Sequence, residues 1–150
     1  MDNAGRTPLH YAALSDMPRV IDLAASECGP AMAAHVSRTD KRGQTALHLA
    51  AFRASMAVFQ TLLELLSAEQ LLAQDAQGRT VAHILVLAFA RSDAGALGEC
   101  VQMLHGCARA AALFTTKDAS GRTPADLLPA LCANSPALLE RLRAVLAPRT

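Results

Sequence analysis

Asp40-Lys41-Arg42-Gly43-Gln44-Thr45-Ala46-Leu47-His48 returns three more times along this chain. The other copies are Asp2-Asn3-Ala4-Gly5-Arg6-Thr7-Pro8-Leu9-His10, Asp75-Ala76-Gln77-Gly78-Arg79-Thr80-Val81-Ala82-His83 and Asp118-Ala119-Ser120-Gly121-Arg122-Thr123-Pro124-Ala125-Asp126. Their common skeleton is D-x-x-G-x-T-[P/A/V]-[L/A]-[H/D]. A phrase recurring at this spacing marks one supersecondary unit used repeatedly, so the fold becomes a question of stacking. Stacked units of this kind offer a surface rather than a pocket.

Each letter has a mechanical reason. Asp opens a turn by accepting hydrogen bonds from nearby backbone N–H groups, and Gly three residues on supplies a left-handed conformation. Thr is a good helix N-cap, able to satisfy an N–H of the first turn. Pro8 and Pro124 fall at the first helical position, where a missing N–H costs nothing. Ala46 and Val81 take that place in the middle copies. Every copy therefore reads as turn, cap, helix.

The phrase resembles the ankyrin repeat, whose signature is G-x-T-P-L-H-x-A. Gly5–Ala13 (GRTPLHYAA) and Gly43–Ala51 (GQTALHLAA) match it strongly. Gly78–Val86 (GRTVAHILV) is degraded, and Gly121–Pro129 (GRTPADLLP) has the character of a terminal copy, with Asp126 in the His position. The resemblance spans essentially the whole chain. It implies an all-α solenoid of stacked helix–turn–helix units with β-hairpin-like loops, here one domain over 1–150 with repeats at about 2–39, 40–74, 75–117 and 118–150. It also implies scaffold roles for Gly5, Thr7, His10, Gly43, Thr45, His48, Gly78, Thr80, His83, Gly121, Thr123 and Asp126. In the family this His ties neighbouring loops together by hydrogen bonds.

The second helix of each unit is legible by periodicity. Asp16-Met17-Pro18 has the look of a cap before Val20, Ile21, Leu23 and Ala24. Met56, Phe59, Leu62, Leu63 and Leu66 form the next helix; Leu97, Val101, Leu104 and Ala108 form the third. Ser135 is expected to cap a last helix that opens at Pro136 and buries Leu138, Leu139, Leu142 and Leu146, while Glu140, Arg141 and Arg143 face water. The phrase glycines at 5, 43, 78 and 121 give steps of 38, 35 and 43 residues, against a family period of about 33. The surplus falls at Gly29-Pro30 with an added helical turn over 31–36, at a short helix over 67–72 capped by Ser67, and at 91–96. Such insertions collect on one face, where they either bind or merely decorate.

Composition fits a single domain: 52% hydrophobic residues with 3% aromatics leave Ala and Leu to build the core. A net charge of +1 gives no footprint for nucleic acid. No apolar run reaches the roughly 20 residues a membrane span needs, and no leader pattern is present. Cytoplasm or nucleus is the expected location. The absence of a polar capping helix before the first turn leads us to expect that the natural protein continues upstream.

Catalysis lacks ingredients: there is no G-x-S-x-G, no glycine-rich phosphate loop and no H-E-x-x-H. Three equivalent histidines argue for scaffolding, since an active site rarely needs three copies. Cys28, Cys100, Cys107 and Cys132 have no zinc spacing, even with His105 recruited, and read as buried reduced thiols. No enzyme, cofactor or metal is expected.

Recognition remains. In ankyrin proteins partners usually meet the loop tips and the concave face of the first helices. Carried over by position, this singles out Arg6, Leu14, Lys41, Arg42, Gln44, Phe52, Arg53, Gln77, Arg79 and Arg122. The arginines form a ridge with few acidic side chains among them, and Phe52 beside Arg53 suggests an aromatic–guanidinium anchor. The expected partner is a protein with an acidic or mixed acidic-hydrophobic surface, bound by a monomer. The alternatives are an internal spacer of a longer repeat scaffold, or a regulatory domain attached to an enzyme.

Overall fold

The computed structural model of the chain describes residues 2–89, 91, 95–107, 109–133 and 136–146. The first phrase leads into α1 (Pro8–Leu14) and α2 (Pro18–Cys28), followed by a 3₁₀ turn over Gly29–Ala31 and α3 (Met32–Val36). The second leads into α4 (Ala46–Arg53) and α5 (Met56–Leu65), then a 3₁₀ turn over Gln70–Leu72. The third leads into α6 (Val81–Phe89), α7 (Gly95–His105) and α8 (Ala110–Thr115). After the fourth come a 3₁₀ turn over Ala125–Leu127, α9 (Leu128–Leu131) and α10 (Pro136–Leu146). Among the described residues there is no strand, so the fold is all-α.

The helices form two layers. α1 packs on α4 and α4 on α6; behind them α2 packs on α5, α5 on α7 and α7 on α10. Small side chains permit the close front-layer contacts: Ala12, Ala13, Ala50, Ala51, Ala82 and Ala88 are all buried. Ile21, Phe59, Leu62 and Leu104 fill the space between layers and are fully buried. Burying a side chain of this size stabilises by about 1.5–3 kcal/mol relative to leaving it in water. Cys100 and Cys132 belong to this core, while Cys28 and Cys107 are half-buried; burial pushes the Cys100 thiol up to about 11. No helix among the described residues is long and apolar enough to cross a membrane.

Several local expectations need correction. Asp16 does not cap α2: the N-cap is Met17, which makes no side-chain cap bond. Asp16 instead holds a left-handed conformation, φ 54°, and takes the Ser55 hydroxyl from the neighbouring hairpin. Val20 and Leu23 lie exposed on α2, and only Ile21 of its apolar set is fully buried. The added turn over 31–36 is present as α3. Ser67 and Gln70 bond reciprocally at 2.9 and 3.3 Å at the head of the Gln70–Leu72 turn. α8 is an element that the periodicity missed. The fourth phrase opens a 3₁₀ turn rather than a regular helix, and Pro129, which cannot donate an N–H, follows within α9. Ser92, Asp93, Ala94, Ala108 and Ser135, with the side chains of Leu97, Leu138, Leu142 and Leu146, lie outside the described residues.

Candidate interaction surface

The tips of the stack are built alike. Oδ1 of each phrase Asp accepts two backbone N–H bonds, from Ala4 and Arg6, Arg42 and Gln44, Gln77 and Arg79, and Ser120 and Arg122, all at 2.8–3.0 Å. The phrase glycines follow at φ 71–75°. One backbone bond of 2.9 Å then joins each tip to the next: Lys41 to the Ala4 carbonyl, Ala76 to Arg42, and Ala119 to Gln77. At Gly43 and Gly78 this contact is so close that a Cβ would sit 2.7 and 2.6 Å from the next loop's nitrogen.

The histidines clamp the loops from inside. Nδ1 of His10 accepts the Thr7 N–H at 3.1 Å and contacts its hydroxyl at 2.8 Å; His48 with Thr45 and His83 with Thr80 do the same. Since Nδ1 is an acceptor, Nε2 carries the proton. It donates to the carbonyl one loop further on, His10 to Gln44 at 2.9 Å, His48 to Arg79 at 3.2 Å and His83 to Arg122 at 2.9 Å. The Thr hydroxyls therefore serve the imidazole as well as the helix end. In the last copy Asp126 substitutes, accepting the Thr123 N–H and hydroxyl, both at 2.8 Å. Burial holds His48 and His83 below the usual imidazole value, although their carbonyl partners pull the other way.

The arginine ridge divides into three kinds. Arg79 grips Asp75 of its own loop through Nε at 2.9 Å and Nη2 at 2.7 Å. Arg122 grips Asp118 at 3.3 and 3.1 Å. Burial would raise the Asp75 carboxyl, but Arg79 and the loop N–H groups hold it below the usual range. The Arg122 and Ser120 N–H groups lower Asp118 in the same way. Arg6 breaks the pattern because the Tyr11 hydroxyl has taken Asp2. Its guanidinium lies 6.0 Å over the Tyr11 ring, and its Nε faces Asp40 of the next loop at 4.0 Å. Position 44 is Gln, which leaves Asp40 without an arginine of its own. Arg42 and Arg53 are exposed, and neither has a carboxylate within 4.0 Å among the described residues.

Between tips and helices runs a groove of about 640 Å³. Leu14, Leu49, Phe52, Ile84, Leu87 and Leu131 line its apolar part; Arg6, Arg42, Gln44, Gln77, Arg79 and Arg91 supply the polar part. The groove thus gathers Arg6, Leu14, Arg42, Gln44, Phe52, Gln77 and Arg79 from the expected set. Lys41 lines a smaller recess of about 290 Å³ beside it, and Arg122 one of about 520 Å³ towards the last unit. Arg53 lines none of these three. Phe52 is 48% exposed, and the cation over its ring is Arg91, at 5.8 Å. Neighbours i and i+1 on a helix point apart, so Arg53 cannot take that place. Leu49, Ile84, Arg91 and Leu131 were missed. Leu49 and Ile84 each follow a phrase His, which was the available signal; Arg91 had none.

The ankyrin repeat family profile matches residues 42–76. A search of curated proteins finds nothing that matches this chain.

Proposed function

We propose that this chain, whose residues 42–76 match the ankyrin repeat profile, is a non-catalytic module binding a partner protein across its loop tips and concave groove. Ankyrin repeats are in general protein–protein interaction units. One observation carries the reading here. Among the described residues every ionisable side chain lining the groove is an arginine, set around an apolar floor that includes half-exposed Phe52. Arg and aromatic side chains are the residues that most often anchor interfaces. We take the chain as four stacked units acting as a monomer in cytoplasm or nucleus, with Lys41, Arg53 and Arg122 at the rim of the contact.

The test is capture from a lysate with the wild-type chain beside the double variant Arg42→Glu, Phe52→Glu. Both positions are exposed, so the variant should melt within a few degrees of wild type while the captured partner is lost. Equal capture by both proteins would refute the groove as the binding surface. The spacer reading has its own support. Tyr11 and Val20 are 44% and 40% exposed, whereas Leu49 and Val58, one unit on, are buried against the unit before. Concentration-dependent association through that face would favour a stacking role.

A further inference from the structure

The groove has a direction. Its tip end lies at the N-termini of α1, α4 and α6, where Arg6, Arg42 and Arg79 enter; its far end lies past the C-terminus of α6, where Arg91 enters. Of these four guanidiniums Arg79 is already engaged by Asp75, while Arg6 is half-buried over the Tyr11 ring with its Nε 4.0 Å from Asp40. Arg42 and Arg91 are exposed and have no carboxylate within 4.0 Å among the described residues. One available cation therefore stands at each end of an apolar floor. α6 has 9 residues, about 14 Å at 1.5 Å per residue, and Arg42 and Arg91 both attach outside it, so the apolar floor between them is at least a helix of that length. An extended chain covers that distance in about four residues.

Resting on the reading of the groove as a partner surface, we infer that its occupant is an extended acidic segment of another protein. Two carboxylates four or more residues apart flank an apolar side chain. The apolar side chain seats on Phe52 and Leu87, one carboxylate meets Arg42 and the other meets Arg91. A guanidinium lying over an aromatic ring keeps its edge N–H groups free for a carboxylate, so the Arg91–Phe52 pair is compatible with both contacts at once. Among the described residues no acidic side chain lines the groove to oppose such a ligand. A basic or neutral segment would leave both end cations unanswered.

The probe is a phage library of random nonapeptides selected on the immobilised full chain in three forms: wild type, Arg91→Glu and Arg42→Glu. Wild type should enrich sequences with paired carboxylates four or more residues apart around an apolar position. A synthetic peptide of that consensus should bind Arg91→Glu about tenfold or more weakly. The Arg91→Glu selection should lose the acidic preference at one end of the motif only, and Arg42→Glu at the other. Matching far-UV melts establish that the variants are folded. Enriched peptides without paired carboxylates, equal affinity for all three proteins, or no enrichment over bare matrix would each overturn the inference. Partner capture that still depends on Arg42 and Phe52 would leave the wider reading standing in any of those cases.

Discussion

At the scale of single residues, the phrase glycines separate two demands that a sequence repeat merges. Gly78 and Gly121 share left-handed backbone, φ 71° and 75°, but only Gly78 lies under a following loop, with Ala119 nitrogen 2.6 Å from a built Cβ. Gly121→Ala should therefore cost about 1 kcal/mol, the conformational penalty alone. Gly78→Ala should cost clearly more, because the loop above must shift; urea denaturation of the two variants gives the comparison. Equal costs would mean the loops do not press on one another. The histidines add a pH dependence with a definite sign. Unfolded imidazole titrates near 6.5, and burial keeps His48 and His83 below that in the fold. The unfolded chain then binds more protons on acidification, so this contribution is complete above pH 6.5 and is lost as pH falls through the folded values. The melting temperature should drop between pH 7.5 and 5, above the range where carboxylates titrate. His48→Ala should cost about 2–4 kcal/mol at neutral pH, since it strands the Thr45 N–H and the Arg79 carbonyl; an unchanged melt would sink the loop-tying account.

At the scale of elements, α4 and α5 carry the sharpest contrast. Phe52 on α4 is 48% exposed and Phe59 on α5 is fully buried. Phe59→Ala should cost about 3–5 kcal/mol, and Phe52→Ala less than about 1, mostly through the Arg91 contact; thermal melts decide it. Arg79→Ala should cost about 0.5–1 kcal/mol because the guanidinium braces its own loop, whereas Arg42→Ala should cost almost nothing. These elements also show what the sequence could disclose. The turn and the helices α1, α4 and α6 were legible because each follows from local chemistry repeated in register. α8 was not, since Ala110-Ala111-Ala112 has no polar face to set a period. The irregular start of the fourth unit depends on Pro129, eight residues beyond its glycine. Nor could sequence assign arginine partners: Arg79 and Arg122 bond within their loops, but a single Tyr11 hydroxyl on Asp2 diverts Arg6 to the next unit.

For the whole molecule, the two ends differ. Tyr11, Met17, Val20 and Leu23 are exposed apolar side chains on the first unit, while Glu140, Arg141 and Arg143 give the last helix a charged outer side. A Val20→Lys, Leu23→Lys pair should leave the melting temperature within a few degrees and abolish any concentration-dependent association seen by sedimentation. Persisting association would place the contact elsewhere. The bonds that join one tip to the next have a further consequence. They run between main-chain atoms, from Lys41, Ala76 and Ala119 to the carbonyls of Ala4, Arg42 and Gln77, so they survive any change of side chain that keeps the backbone. Side-chain changes at Lys41, Arg42 or Gln77 that keep the backbone N–H and C=O groups in place therefore leave the joined tips intact, so the chemistry of the rim and the stability of the fold vary independently.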